Sequence, residues 1–196
     1  MTGRFLRDNV FLVVAVSLPV AVVGIFLLVT AIPKWTVSPP RYDLLLQTSE
    51  YASARSQISV DVFVRDETVQ ATLRVVKDTH VPRVRLWRFD HATLSVREVP
   101  IPVPTLAGDA DGAQTVVVEA LRGQRVVTDP KAPDGYEMRR QDGGGPGVIG
   151  DIFGMRRYGQ PAAIVNRGRV VTVDIPTPNR YEAPAFVGWV VDGGGR

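Results

Sequence analysis

The chain has 196 residues, a formal net charge of +3 and no cysteine. Without cysteine it cannot form a disulfide framework or a thiolate-bound metal site. Its 23 basic and 20 acidic residues nearly balance, whereas a nucleic-acid-binding domain gathers a strong basic excess on one face. We therefore expect no nucleic acid among its partners.

The first predicted element is a helix over residues 10–32, a run of mostly apolar residues without a single charge. At about 1.5 Å per residue it would be about 35 Å long, enough to cross a hydrocarbon core of about 30 Å. Arg4 and Arg7 precede the run, and Trp35 follows it where an interfacial aromatic residue is expected. The run therefore predicts a single transmembrane helix, with the membrane lipid bilayer as a partner.

A short basic segment before a long apolar run is typical of a signal anchor that exports everything downstream. We expect residues 1–9 in the cytoplasm and the C-terminal domain in the periplasm or another extracytoplasmic space. Only Lys34, Lys77 and Lys131 of the basic residues are lysines, which suggests a GC-rich bacterial genome and hence a bacterial inner membrane. A cleaved signal peptide is the alternative, but the apolar region of a signal peptide is usually about 7–15 residues long, which is shorter than this run.

Beyond a proline-containing spacer at 33–41, the sequence predicts strands rather than helices. Apolar residues at every second position predict a hairpin from residues 57 to 77, which turns at Asp66-Glu67. A second hairpin is predicted around the turn at 90–93, and one helical turn near Leu121. Further strands are predicted at 42–48, 115–120, 125–128, 162–165, 169–175 and 186–191, with a short run at 136–140 that we leave unassigned. The sequence thus predicts a mainly β domain over 42–191, an antiparallel β sandwich or small open barrel, followed by a flexible tail at 192–196.

No complete catalytic, metal or cofactor motif is found. Residues 145–150 match the G-x-G-x-x-G pattern of dinucleotide-binding loops but do not open a helix. Residues 109–112 resemble the start of a calcium loop, but the carboxylate that should close the loop is one position late. His91 beside Asp90 could form an acid–base pair; we favour the alternative, a histidine in a hairpin turn. We expect no catalytic residue, metal or cofactor.

One constellation points to a partner. The glycine-rich segment 143–157 combines backbone freedom with apolar residues and is flanked by pairs of arginines. We expect this segment to contact another membrane protein or the lipid headgroup region. Its apolar residues would insert, and its arginines would bind phosphates or acidic side chains. The alternative is a loop that covers the open end of the β core. The candidate contact residues are Arg139, Arg140, Val148, Ile149, Ile152, Phe153, Met155, Arg156 and Arg157.

Three functions are therefore considered. The first is a non-enzymatic accessory, assembly or interaction subunit of a membrane complex. The second is an extracytoplasmic module that binds a glycan or lipid through aromatic residues, with Trp189 more suited to the core than to such a surface. The third is an enzyme of unknown class. The aromatic candidates for the second function are Tyr136, Phe153, Tyr158, Tyr181 and Trp189.

Overall fold

The computed structural model describes residues 10–50, 58–76, 81–103, 113–140, 162–176 and 183–191. The chain divides into two compact units. One comprises Met1–Ser38 together with Arg167–Arg169, and the other comprises Pro39–Asn166 and Val170–Arg196.

A single helix dominates the first unit. Helix α1 covers Val10–Thr36, and its valines, leucines and isoleucines are half or more exposed along most of its length. Within the described residues, no helix is both long enough and apolar enough to cross a membrane. The transmembrane helix at 10–32 therefore stays a prediction.

The second unit is mainly β, with all described strand pairs antiparallel, as the sequence predicts. The described residues of the chain form eleven strands in three sheets, with strand orders β5-β4-β1-β11-β7, β2-β3-β6 and β10-β9-β8. A short 3-10 helix at Glu119–Leu121 confirms the predicted helical turn. The strands are β1 Asp43–Glu50, β2 Ile58–Arg65, β3 Thr68–Val75, β4 Arg83–Asp90, β5 Ser95–Val99, β6 Gln114–Val117, β7 Val126–Val127, β8 Glu137–Arg140, β9 Ala162–Asn166, β10 Arg169–Val173 and β11 Ala185–Val190.

Tight turns join the predicted hairpins at the expected places. Asp66 and Glu67 connect β2 to β3 and both have positive φ, 50° and 59°, as in the type I′ turns that match the twist of paired strands. Arg167 and Gly168 connect β9 to β10 with φ of 44° and 87°. The turn between β4 and β5 is longer and ends at Leu94, whose φ is 53°. These turns fix the register of each hairpin.

Strand β1 is buried on both of its faces, which explains its run of leucines. On one face Leu45 belongs to a core cluster with residues of the second sheet, among them Val62 and Ala71. On the other face Leu44 and Leu46 are fully buried, like their neighbours Phe89 and Trp189 across the ladders. Each such side chain contributes about 1.5–3 kcal/mol when it leaves water, so this strand forms the centre of the fold.

Candidate functional site

The most connected polar group in the described residues lies at the first position of β1. Asp43 is only 6% exposed, and it begins β1 directly before the three buried leucines. In the ladder with β4, Leu45 lies directly opposite Arg88. Side chains two apart on a strand share a face, so Asp43 and Arg88 project to the same side of the sheet. The strand pattern therefore brings a carboxylate and a guanidinium together beside the core.

Both oxygens of the Asp43 carboxylate accept short hydrogen bonds. Arg88 donates to Oδ2 from Nε and Nη2, each at 2.6 Å. His91 donates its backbone N–H to Oδ1 at 2.9 Å, and its ring Nδ1 lies 2.6 Å from the same oxygen. The remaining guanidinium nitrogen, Nη1, donates to Gln124 Oε1 at 3.0 Å. The network thus joins β1, β4, the turn after β4 and the loop before β7.

Asp90 faces its own turn instead of the histidine beside it. Its Oδ1 accepts the backbone N–H groups of Ala92 and Thr93, at 2.9 and 3.0 Å. The hydrogen bond from the Thr93 amide has the largest effect and lowers the pKa of Asp90 from its ordinary value of 3.8. Partial burial acts in the opposite direction but is outweighed by these hydrogen bonds. The acid–base pair of Asp90 with His91 is therefore not what the geometry supports: the imidazole is hydrogen-bonded to Asp43, and His91 lies in a hairpin turn as favoured from the sequence.

Three groups in this region could in principle offer ligands to a metal ion. One oxygen each from Asp43 and Asp90 and one ring nitrogen of His91 lie within 4.8 Å of one another. The donor set nevertheless suits a cation poorly, because the Asp43 carboxylate already accepts four N–H or ring contacts and its counterion is Arg88. A divalent ion at Asp43 would lie against that guanidinium, and like charges repel.

The Asp43–His91 contact also has the form of a dyad in which a buried carboxylate orients an imidazole. With Nδ1–H directed at the carboxylate, Nε2 would be left as a proton acceptor. In the described part of the chain, however, no hydroxyl is hydrogen-bonded to the ring; Thr93 and Ser95 in the same turn pair with each other at 2.8 Å. Among the described residues, the network is thus an ion cluster without a hydroxyl nucleophile bonded to the imidazole.

The predicted contact residues of the glycine-rich segment are only partly placed. Arg139 and Arg140 lie on β8, and the Arg139 side chain is exposed. The others lie outside the described residues: Val148, Ile149, Ile152, Phe153, Met155, Arg156 and Arg157. Their role stays a prediction.

The proposed aromatic ligand surface is wrong for Tyr136. Tyr136 is 1% exposed and Trp189 is fully buried, because both pack into the core and cannot offer a ring face to a ligand. The burial of Trp189 agrees with the preference for the core made from the sequence. Phe153, Tyr158 and Tyr181 lie outside the described residues.

No protein-family model, no curated protein and no solved structure matches this chain. Its function must therefore be inferred from its own residues and contacts.

Proposed function

We propose that this protein is anchored in the bacterial inner membrane through its N-terminal helix and carries an extracytoplasmic β domain that acts as a non-enzymatic accessory, assembly or interaction subunit of a membrane complex. The observation that carries the proposal is the exposure of large apolar side chains all around α1. Val20, Val22, Val23 and Ile25 are 68%, 59%, 56% and 61% exposed. At 100° per residue these four positions point to all sides of the helix.

An apolar surface of this kind is not stable in water. Soluble proteins rarely expose a continuous apolar patch larger than a few hundred Å², and a helix that is hydrophobic all round is buried in a protein core or in a membrane. The uncharged run at 10–32 has the length for the second environment. Lipid tails, together with the helices of partner proteins, are the surroundings that this composition favours.

The β domain supports a binding role more than a catalytic one. We interpret the β5-β4-β1-β11-β7 and β2-β3-β6 sheets as the layers of a β sandwich, since their residues share one core cluster. The charged network at Asp43 is engaged within the domain. The runner-up function, a glycan- or lipid-binding module, is weakened because Tyr136 and Trp189 are buried.

Membrane anchoring is tested by extraction of isolated membranes at alkaline pH. Arginine at the centre of a spanning helix costs about 2.5–3.5 kcal/mol on the insertion scale, so Val20→Arg combined with Val23→Arg should release the protein into the supernatant. Val75→Arg is the matched control, because Val75 is also an exposed valine, 45%, but lies on β3. Wild-type protein in the supernatant, or a double variant that stays in the pellet, would contradict the anchor.

Orientation and partnership need separate measurements. A periplasm-dependent phosphatase fused to the C-terminus should be active; an inactive fusion would reverse the topology. A tagged full chain, isolated from native membranes in mild detergent, should retain partners in stoichiometric amounts. A chain isolated alone after gentle cross-linking would contradict the subunit function while leaving the anchor standing.

The contact predicted for segment 143–157 has its own test. Replacing Ile152 and Phe153 with serine should release the partners and leave the melting temperature unchanged. If the partners are retained and the melting temperature falls, these residues belong instead to a loop that covers the open end of the β core.

A further inference from the structure

We propose that the C-terminal end of α1, with the β9–β10 turn, forms a contact surface for the phosphate groups of anionic phospholipids. This inference rests on the membrane anchoring proposed above and names a partner for it. Its residues are Trp35, Arg167 and Arg169, and they differ from the arginines of the glycine-rich segment. They lie within one compact unit of the chain, because Arg167–Arg169 cluster with the helix.

A side-chain hydrogen bond attaches the turn to the helix end. Arg169 donates from Nη1 to the backbone oxygen of Val37 at 2.6 Å. The last carbonyls of a helix have no partner within it and carry partial negative charge, so a guanidinium is well suited to this position. The bond fixes one positive charge directly after the last residue of α1, Thr36.

Two other side chains of this unit have the chemistry of a membrane interface. Trp35 is 76% exposed at the end of the apolar helix, where amphipathic aromatic rings meet headgroups. Arg167 is exposed at the tip of the turn, with φ of 44°. Arginine binds phosphate oxygens with two parallel N–H donors, so the surface offers a ring for the interface and a guanidinium for the phosphate.

The distances along the helix agree with the dimensions of a bilayer. Val37 follows Ile32, the last residue of the predicted span, by five positions, about 7.5 Å at helical rise. A bilayer about 40–45 Å thick with a hydrocarbon core of about 30 Å leaves about 5–7.5 Å of headgroup region on each side. With the apolar run in the core, the Val37 carbonyl and the arginine bonded to it therefore lie at the depth of the phosphates.

The test uses the full chain in mild detergent, titrated with phosphatidylglycerol or phosphatidylcholine, with bound lipid counted by native mass spectrometry. A basic residue near an anionic surface strengthens binding by about fivefold, so Arg167→Gln should weaken phosphatidylglycerol binding by about that factor. Arg167→Lys keeps the positive charge but loses the paired N–H donors, so its phosphatidylglycerol binding should lie between those of wild type and Arg167→Gln. Neither variant should change phosphatidylcholine binding. Arg122→Gln is the control, since Arg122 is an exposed arginine that pairs with Glu119 at 2.6 Å.

Equal affinity of wild type and Arg167→Gln for phosphatidylglycerol would overturn the inference, as would equal affinity of the wild type for both lipids. Displacement of the lipid by millimolar inorganic phosphate would show a site for a free anion and would also overturn it. Alkaline extraction of the same proteins separates the two proposals. If the protein stays in the membrane but Arg167→Gln does not weaken phosphatidylglycerol binding, the lipid contact surface is refuted and the membrane anchor is not. A melting temperature unchanged by Arg167→Gln excludes a folding defect as the cause of lost binding.

Discussion

Replacing Asp43 with asparagine should lower the free energy of unfolding by about 3 kcal/mol. The substitution keeps the shape of the side chain but removes its charge. The Asp43 and Arg88 side chains are only 8% and 13% exposed, so the guanidinium would lose its counterion in a place that water barely reaches. Breaking a buried ion pair by removal of one partner costs about 3–5 kcal/mol. The lower end applies because the asparagine oxygen can still accept one bond.

The size of the effect makes it easy to measure. For a chain of 150–250 residues, each kcal/mol shifts the melting temperature by about 2–4 °C, so Asp43→Asn should melt about 6–12 °C below the wild type. Tryptophan fluorescence is a suitable signal, since Trp87 and Trp189 are buried and become exposed on unfolding. Trp35 is already exposed and should contribute a constant background.

A double-mutant cycle identifies the pair as the cause. Arg88→Met alone leaves the carboxylate without its guanidinium, and the double variant leaves neither charge. The double variant should therefore be more stable than the sum of the single losses predicts, with a coupling energy of at least about 1 kcal/mol. Glu119→Gln is the control: its pair with Arg122 is more than half exposed, and it should change stability by less than about 0.5 kcal/mol. Additive single losses, or a loss at Asp43 no larger than the control, would refute a buried ionic network.

Two further substitutions test other parts of the domain. Because the pKa of Asp90 is lowered in the folded protein, its carboxylate stabilises the fold above the ordinary pKa and loses this effect as pH falls through the lowered value. The wild type should therefore melt at a higher temperature than Asp90→Asn near neutral pH, and this difference should vanish in acid below pH 3.8. A difference that stays constant with pH would contradict the prediction. Gly188→Ala should cost about 1–3 kcal/mol in urea unfolding, because its Cβ would lie 2.6 Å from Val126 Cγ1 and 2.8 Å from Val127 O; wild-type stability would contradict the close approach of β7 to β11.

The positions of many strands along the chain could be predicted because alternation is a local property. Val62 and Val69 belong to runs with apolar residues at every second position, and the charged pair between the runs marks the turn. The final strand is also predicted from its own residues, since an apolar run that contains a tryptophan is typical of a buried strand. These signals need no knowledge of the rest of the chain.

The network at Asp43 could not be predicted because its members are distant in sequence. Asp43 and His91 are 48 positions apart, whereas Asp90 is adjacent to the histidine and was the obvious partner. The Asp90 carboxylate does not pair with His91, because it accepts hydrogen bonds from the backbone amides of its own turn. A weaker signal is present: Asp43 directly precedes three leucines, and Arg88 lies between Trp87 and Phe89, so both opposite charges adjoin apolar strand positions.

The polar pairs of β1 have a role that its leucines cannot fill. A slip of the strand by two residues would keep Leu44, Leu45 and Leu46 on the faces that they occupy now, since side-chain direction repeats every two residues. Such a slip would separate Asp43 from Arg88 at one end of the ladder, and at the other end it would separate Glu50 from Arg85, now 3.2 Å apart. We infer that charge selects the register of this strand and that apolar burial supplies its stability. The buried ion cluster then serves the specificity of the fold.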